Sequence, residues 1–158
     1  MADRPSRRRI LKAAGTLAGA SALLRLSAKP ADATPEMMQD AVRAAIGEAP
    51  VKKGKVKLDL PPLVENGNSV PCIVTVDSPM TASDHVKAIH IFNEKNPQPN
   101  VISVRLGPRA GKASFSTRIR LADTQTVTAI AEMSDGTFWS DDIDVIVTLA
   151  ACVEEPKP

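Results

Sequence analysis

Two cysteines are the side chains of this sequence best suited to covalent chemistry. Cys72 lies in an alternating apolar run between Val70 and Val74, so its thiol is predicted to face the core of a sheet, where cysteine acts as a small hydrophobe. Cys152 follows the last predicted strand, which makes it a candidate for covalent chemistry. A disulfide between them needs Cα atoms within about 7 Å, and this alternative stays open.

The remaining polar motifs give little support for catalysis. His85 and His90 flank one predicted strand, and a separation of five places them on opposite faces of a regular strand. We expect both to be surface or edge histidines. The acidic residues 141–144 fit no calcium-loop spacing and are predicted to begin a solvated strand. There is no phosphate loop and no GxSxG motif. We therefore predict no catalytic residue, no metal site and no cofactor.

The N-terminal residues predict export. Residues 6–12, SRRRILK, contain a twin arginine, and residues 13–24 are uncharged, small and apolar. Ala31-Asp32-Ala33 then gives a small-x-small cleavage pattern. This order predicts a Tat-type signal peptide over residues 1–33, cleavage after Ala33 and a periplasmic mature chain. The apolar stretch is too short for a membrane anchor, and the alternative is an amphipathic helix of a cytosolic protein.

Cleavage would change the charge of the protein. The whole chain carries 20 Lys/Arg and 18 Asp/Glu, of which residues 1–33 hold seven and two. The mature part would keep 13 basic and 16 acidic residues, a net charge of about −3. The basic character therefore belongs to the signal and does not indicate nucleic-acid binding. Arg118 and Arg120 share one strand face, which is best interpreted as solvated.

Hydrophobic periodicity predicts one β-sandwich domain. A short helix is predicted from Thr34-Pro35-Glu36, which supply a cap, a first-turn proline and an acid, to about Glu48. The fold class is all-β, an immunoglobulin-like antiparallel β-sandwich of about seven strands, over residues 34–149. Pro71 belongs at an edge or bulge, and Trp139 at a sheet edge or the domain surface. The strands are predicted at 56–60, 70–76, 86–92, 101–106, 113–121, 127–133 and 143–149.

A series of ordered motifs resembles one known family. The segment PPLVENGNSVP at residues 61–71 is similar to the ENGN-x-VP segment of that family. On these motifs the chain is identified as a member of the SoxY family of sulfur carriers in thiosulfate oxidation. Further similar segments follow in the family order: SPMT at 78–81, DHVK at 84–87, NPQP at 96–99, GKA at 111–113, STRIRLA at 116–122, TQ at 124–125 and AEMSDG at 131–136.

The resemblance implies a carrier rather than an enzyme. It implies a heterodimer with SoxZ, another small β-sandwich, and a sulfur intermediate held covalently on Cys152, the cysteine of the C-terminal arm at residues 150–158. It also implies that Sox enzymes act on the adduct in turn. A c-type cytochrome pair attaches thiosulfate, a di-manganese hydrolase releases sulfate, and a molybdenum–haem enzyme oxidises the remaining sulfur. The carrier itself needs no cofactor.

The arm departs from the family pattern around its cysteine. The family has Gly-Gly-Cys-Gly-Gly, whereas this chain has Ala150-Ala151-Cys152-Val153-Glu154, followed by a second glutamate. Glycines leave the backbone free and add no side chain that could block a narrow channel. Val153 adds width and stiffness. The two glutamates are expected to raise the thiol pKa and to repel an anionic substrate.

Three hypotheses follow for function. In the first, which we prefer because the cysteine is in register, Cys152 carries sulfur. In the second, the chain is a diverged SoxY paralogue that keeps the fold and SoxZ binding as a binding or regulatory module. In the third, Cys152 is an enzymatic nucleophile, but no base lies near it in sequence. Residues 78–81 and the region of Trp139 could supply apolar contacts to a partner, and each could equally be a local turn or a piece of the core.

Overall fold

The computed structural model describes residues 34–149, which all belong to one compact unit. The predicted signal peptide at residues 1–33, with its cleavage position at Ala33, lies outside the described residues. The arm at residues 150–158, with Cys152, also lies outside them. The signal, the domain boundaries and the arm therefore stay predictions.

The predicted N-terminal helix is present as α1, Pro35–Ile46. Thr34 caps it in an extended conformation, and its side chain accepts a hydrogen bond of 3.4 Å from the amide of Met37. Gly47 ends it two residues earlier than predicted, at a φ of 70° that favours glycine. No helix within residues 34–149 is both long and apolar enough to cross a membrane.

Two β-sheets form the sandwich over residues 34–149. The larger sheet has the strand order β1-β9-β8-β5-β6, with β3 also paired to β9, and the smaller sheet has the order β2-β4-β7. Most pairs are antiparallel, but β1 and β3 both run parallel to β9. The strands are β1 Val51–Lys53, β2 Val56–Asp59, β3 Leu63–Val64, β4 Val70–Val76, β5 Val86–Asn93, β6 Asn100–Arg105, β7 Ser114–Ile119, β8 Gln125–Met133 and β9 Phe138–Val147.

The core lies between the two sheets. Strand β4 shows why, since its residues alternate strictly between buried and exposed from Val70 to Val76. The larger sheet is buried on both faces where α1 covers it. There Ile46 of the helix packs against Phe92 of β5 and Ile130 of β8. The helix is therefore held by its apolar stripe against the outer face of the sheet.

The predicted sandwich is confirmed, but the prediction of about seven strands is wrong for the described residues, which form nine. The two additional strands, β1 and β3, have three and two residues, too few for an alternating pattern to be seen. The last strand also begins at Phe138 instead of the predicted Ile143. Pairing with β1 and β8 keeps the polar residues before Ile143 extended.

Pro71 and Trp139 occupy positions that the topology explains. Pro71 belongs to the middle strand of the smaller sheet, but it is paired only with β7, because β2 contacts β4 from Ile73 onward. The proline thus sits where the strand has one neighbour, as predicted. Trp139 lies in β9 between β1 and β8, half-buried against the core, and not at a sheet edge.

Replacing Phe92 by alanine should destabilise the protein strongly. The ring is fully buried beneath α1, and its removal leaves a cavity, so we expect a loss of about 3–5 kcal/mol. Ile73→Ala, at a position that is 40% exposed, is the matched control and should cost about 1 kcal/mol or less. Urea unfolding followed by the fluorescence of the single tryptophan measures both, and equal losses would contradict the assignment.

Candidate functional site: the base of the cysteine arm

After the last strand, hydrogen bonds fix the chain as far as Leu149, three residues before Cys152. Strand β9 ends at Val147, and the amide of Thr148 donates a hydrogen bond of 3.0 Å to the carbonyl of Val64. The Thr148 hydroxyl also lies within 3.2 Å of the carbonyl of Glu65. The carbonyl of Leu149 accepts a bond of 2.8 Å from the amide of Gly67. The chain is thus fixed up to Leu149.

The ENGN segment at residues 65–68 forms the other side of this contact. Asn66 turns the backbone, because its side-chain oxygen accepts hydrogen bonds from the amide and the side chain of Asn68. Gly67 between them is buried, and its carbonyl accepts a bond of 2.9 Å from the amide of Leu121. Gly67 therefore links the arm base to the segment after β7. The resemblance alone did not indicate that this motif holds Thr148 and Leu149, the last residues before the arm.

Three large apolar side chains near this segment are exposed to solvent. Leu63, Ile146 and Leu149 are 58%, 55% and 59% exposed. Leu63 of β3 and Ile146 of β9 are direct partners in the parallel register, so they lie side by side on one face. We call these three residues the arm-base patch. The patch could not be predicted from the sequence, because only the pairing of β3 with β9 brings Leu63 and Ile146 together.

Cys72 is the buried thiol that the alternation predicted. It lies on β4 opposite Thr117 of β7, fully buried in the core, and it is a free thiol. Burial raises its pKa to about 11, with a smaller contribution from the carboxylate of Asp59. A protonated, inaccessible thiol is a poor nucleophile. Cys72 is therefore poorly suited to covalent chemistry, and the role of Cys152 stays a prediction.

The histidines do not form a site with other ligands. His90 lies on β5, which is an inner strand and not an edge strand, and its side chain is partly exposed. Its Nδ1 is 2.8 Å from the Ser103 hydroxyl, and burial lowers its pKa. His85 precedes β5, and a bulge between Val86 and Ala88 ends the simple alternation. Within residues 34–149 no three His, Cys, Asp or Glu side chains are placed to hold a metal ion.

The acidic run has structural partners. Asp141 accepts a hydrogen bond of 2.9 Å from the amide of Leu58, which joins β9 to β2 of the other sheet. Asp142 pairs with Lys53, and Asp144 accepts from the Thr126 hydroxyl at 2.8 Å. The run lies inside β9, whereas the sequence predicted it at the start of a strand. Its carboxylates stabilise strand contacts and do not converge on one point.

Of the two interpretations of residues 78–81, the core piece is correct for Met80. Met80 has a φ of 51° and is only 7% exposed, and its sulfur lies 3.5 Å from the amide of Val86. It belongs to the core. Trp139 is likewise covered in part, by the ammonium groups of Lys52 and Lys55 at 5.6 and 5.2 Å from its ring centre. Arg118 is exposed, as predicted.

Comparisons with known proteins agree with this architecture. A family model described as "Sulfur oxidation protein SoxY" matches residues 42–152. The structure of the sulfur carrier protein SoxY from Chlorobium limicola f thiosulfatophilum is 27% identical, with a TM-score of 0.62, over 73% of this chain and 100% of that one. Comparison with curated protein sequences gives no significant match.

The same sandwich occurs in proteins of low sequence identity. A superoxide reductase (neelaredoxin) from Ignicoccus hospitalis is 15% identical, with a TM-score of 0.54, over 73% of this chain and 94% of that one. A likeness at this identity shows the fold alone. The fold is a two-sheet β-sandwich like that of the sulfur carrier protein SoxY from Chlorobium limicola f thiosulfatophilum. The chain belongs to the SoxY family, since the family model covers well over half of it.

The buried thiol should resist alkylation in the folded protein. In a Cys152→Ser variant, Cys72 is the single cysteine. We expect no iodoacetamide adduct at pH 8 in buffer and one adduct in urea, because Cys72 is inaccessible and its pKa is raised. Intact mass measures both states. Rapid alkylation in buffer would show that β4 opens readily.

The same burial predicts a loss of stability in alkaline solution. The folded-state pKa of about 11 lies above the ordinary value of 9.0, so the folded state favours the protonated thiol. Stability is full below pH 9 and falls as the pH rises toward 11. Between pH 8 and pH 11 the protein should lose about 2 kcal/mol more than Cys72→Ala, measured by urea unfolding. Parallel curves would refute the raised pKa.

Proposed function

We propose that this protein is a periplasmic sulfur carrier of the Sox system, exported by the Tat route, which binds sulfur intermediates covalently on Cys152 and pairs with a SoxZ-like subunit. The observation that supports this most directly is the arm base. The family match extends to Cys152 itself, and hydrogen bonds fix the chain as far as Leu149.

The arm geometry suits a carrier that visits several enzymes. Three residues beyond Leu149 extend at most about 10–11 Å, so Cys152 can reach into an enzyme while the sandwich stays outside. The tether also keeps the bound sulfur at a high effective concentration near each partner. A cysteine inside the sheet, such as Cys72, could not be presented in this way.

The loading step is an oxidation. The Cys152 thiolate and thiosulfate join through a new sulfur–sulfur bond to give a cysteine S-thiosulfonate, and the two electrons released pass, one to each, to haems of the c-type cytochrome pair. Water then attacks the terminal sulfonate sulfur, and the sulfur–sulfur bond to it breaks. Sulfate and two protons are released, and a persulfide remains on Cys152. The carrier supplies the thiol and its position, while its partners supply the redox and hydrolytic chemistry.

The departures at Val153, Glu154 and Glu155 favour a second candidate function, a diverged paralogue that binds SoxZ without carrying sulfur. The valine widens and stiffens the arm where the family has glycine. The glutamates place negative charge beside a thiol whose substrate is an anion. The two candidates therefore differ in whether the arm can be loaded.

Loading of Cys152 distinguishes them. We expect the mature protein, incubated with thiosulfate and the active c-type cytochrome pair, to gain the mass of one S2O3 group. Cys72→Ala should gain it too, and Cys152→Ser should not. A variant with glycines at positions 150, 151, 153 and 154 should load faster, since it restores the family pattern. If that variant loads and the natural chain does not, the paralogue hypothesis is correct.

A further inference from the structure

Within residues 34–149, most of the well-exposed large apolar side chains lie near the arm base. Five large hydrophobic side chains within residues 34–149 are well exposed, and three of them form the arm-base patch of Leu63, Ile146 and Leu149. Single exposed apolar residues are ordinary, but a cluster of them marks an interaction surface. The pairing of β3 with β9 does not require these side chains, because backbone groups make its hydrogen bonds.

The reach of the arm decides what covers the patch. Cys152 is three residues from Leu149, which limits its distance from the arm base to about 10–11 Å. A protein that holds the Cys152 sulfur in its active site must therefore bring its surface over the arm base. Leu63 and Ile146 lie side by side there, so they would face the rim of that active site.

Charge around the patch specifies the partner surface further. Asp144 is exposed and precedes Ile146 by two residues, so it lies on the same face of β9. Glu65 is exposed directly after β3, and the arm carries Glu154 and Glu155. A complementary surface is apolar at its centre and basic at its margin.

We propose that the arm-base patch is the docking surface for the enzymes that load and unload Cys152, and that these enzymes present an apolar rim flanked by lysine or arginine around the channel that receives the arm. The proposal rests on the proposed function and adds the surface by which partners recognise the carrier. The arm then supplies the reactive sulfur, and the patch supplies much of the binding energy.

The test compares matched substitutions of apolar residues by threonine. Ile146→Thr and Leu63→Thr remove apolar surface from the patch and keep residues that suit a strand. Ile73→Thr makes the same change on β4 of the other sheet, at a residue 40% exposed. For each variant we would measure, by intact mass, the rate at which the c-type cytochrome pair and thiosulfate load Cys152 at low carrier concentration. Iodoacetamide alkylation of Cys152 reports intrinsic thiol reactivity.

The double variant Leu63→Thr/Ile146→Thr should load about tenfold more slowly, while Ile73→Thr loads at the natural rate. The natural chain, the double variant and Ile73→Thr should have the same rate of Cys152 alkylation and the same melting temperature. Asp144→Asn, which keeps an oxygen to accept from Thr126, should reduce the dependence of loading on salt, because one flanking charge is lost.

Four results would overturn the proposal. Equal loading of the natural chain and the double variant would show that the patch is not contacted. Loss of the SoxZ heterodimer in the double variant would assign the patch to the subunit interface, and loss of a homodimer would assign it to a second copy. If the natural chain itself is not loaded by an active cytochrome pair, the proposed function fails, and this docking surface fails with it.

Discussion

The pairing of β9 with its neighbours is the constraint on which the rest of the structure depends. Along its ten residues β9 joins β8 over its length, β1 near its start and β3 near its end. Asp141 also links it to the amide of Leu58 in the other sheet. The chain continues from this strand to Leu149, and hydrogen bonds fix this last residue before the arm.

The arrangement of the sheets determines the environment of Cys72. The interior of the sandwich holds Cys72 protonated, with a pKa of about 11, among valines that shield it from solvent. A carrier with a second reactive thiol would risk a disulfide between its own cysteines in an oxidising compartment. Burial in the core makes Cys72 a poor partner for such a disulfide.

Much of the fold could be predicted because burial follows the two-residue period. The alternation in β4 is complete, and the cap at Thr34 and the stop near Gly47 bound the helix. Strands β1 and β3 could not be predicted, because two or three residues carry no period. Their parallel pairing with β9 joins residues more than 80 positions apart, and local sequence contains no signal for it.

The candidate site divides along the same line. The position of Cys152 after the last strand could be predicted from its sequence, and the burial of Cys72 from its phase. The arm-base patch could not, since Leu63 and Ile146 look like ordinary strand residues until β3 and β9 are paired. His85 and His90 lie on either side of a bulge in β5 between Val86 and Ala88, which interrupts the regular strand that the prediction assumed.

A fixed base changes what the unusual arm residues imply. If the arm began from a loose segment, Val153 could be avoided by moving the whole tail within a wide channel. Only Ala150 and Ala151 separate the hydrogen-bonded Leu149 from Cys152, so these two residues must supply nearly all of the adjustment. Alanine permits extended backbone but not the left-handed conformations open to glycine. The cost of the missing glycines therefore falls on entry into narrow channels, and a partner that serves this carrier needs a wide mouth and basic groups that offset the two glutamates.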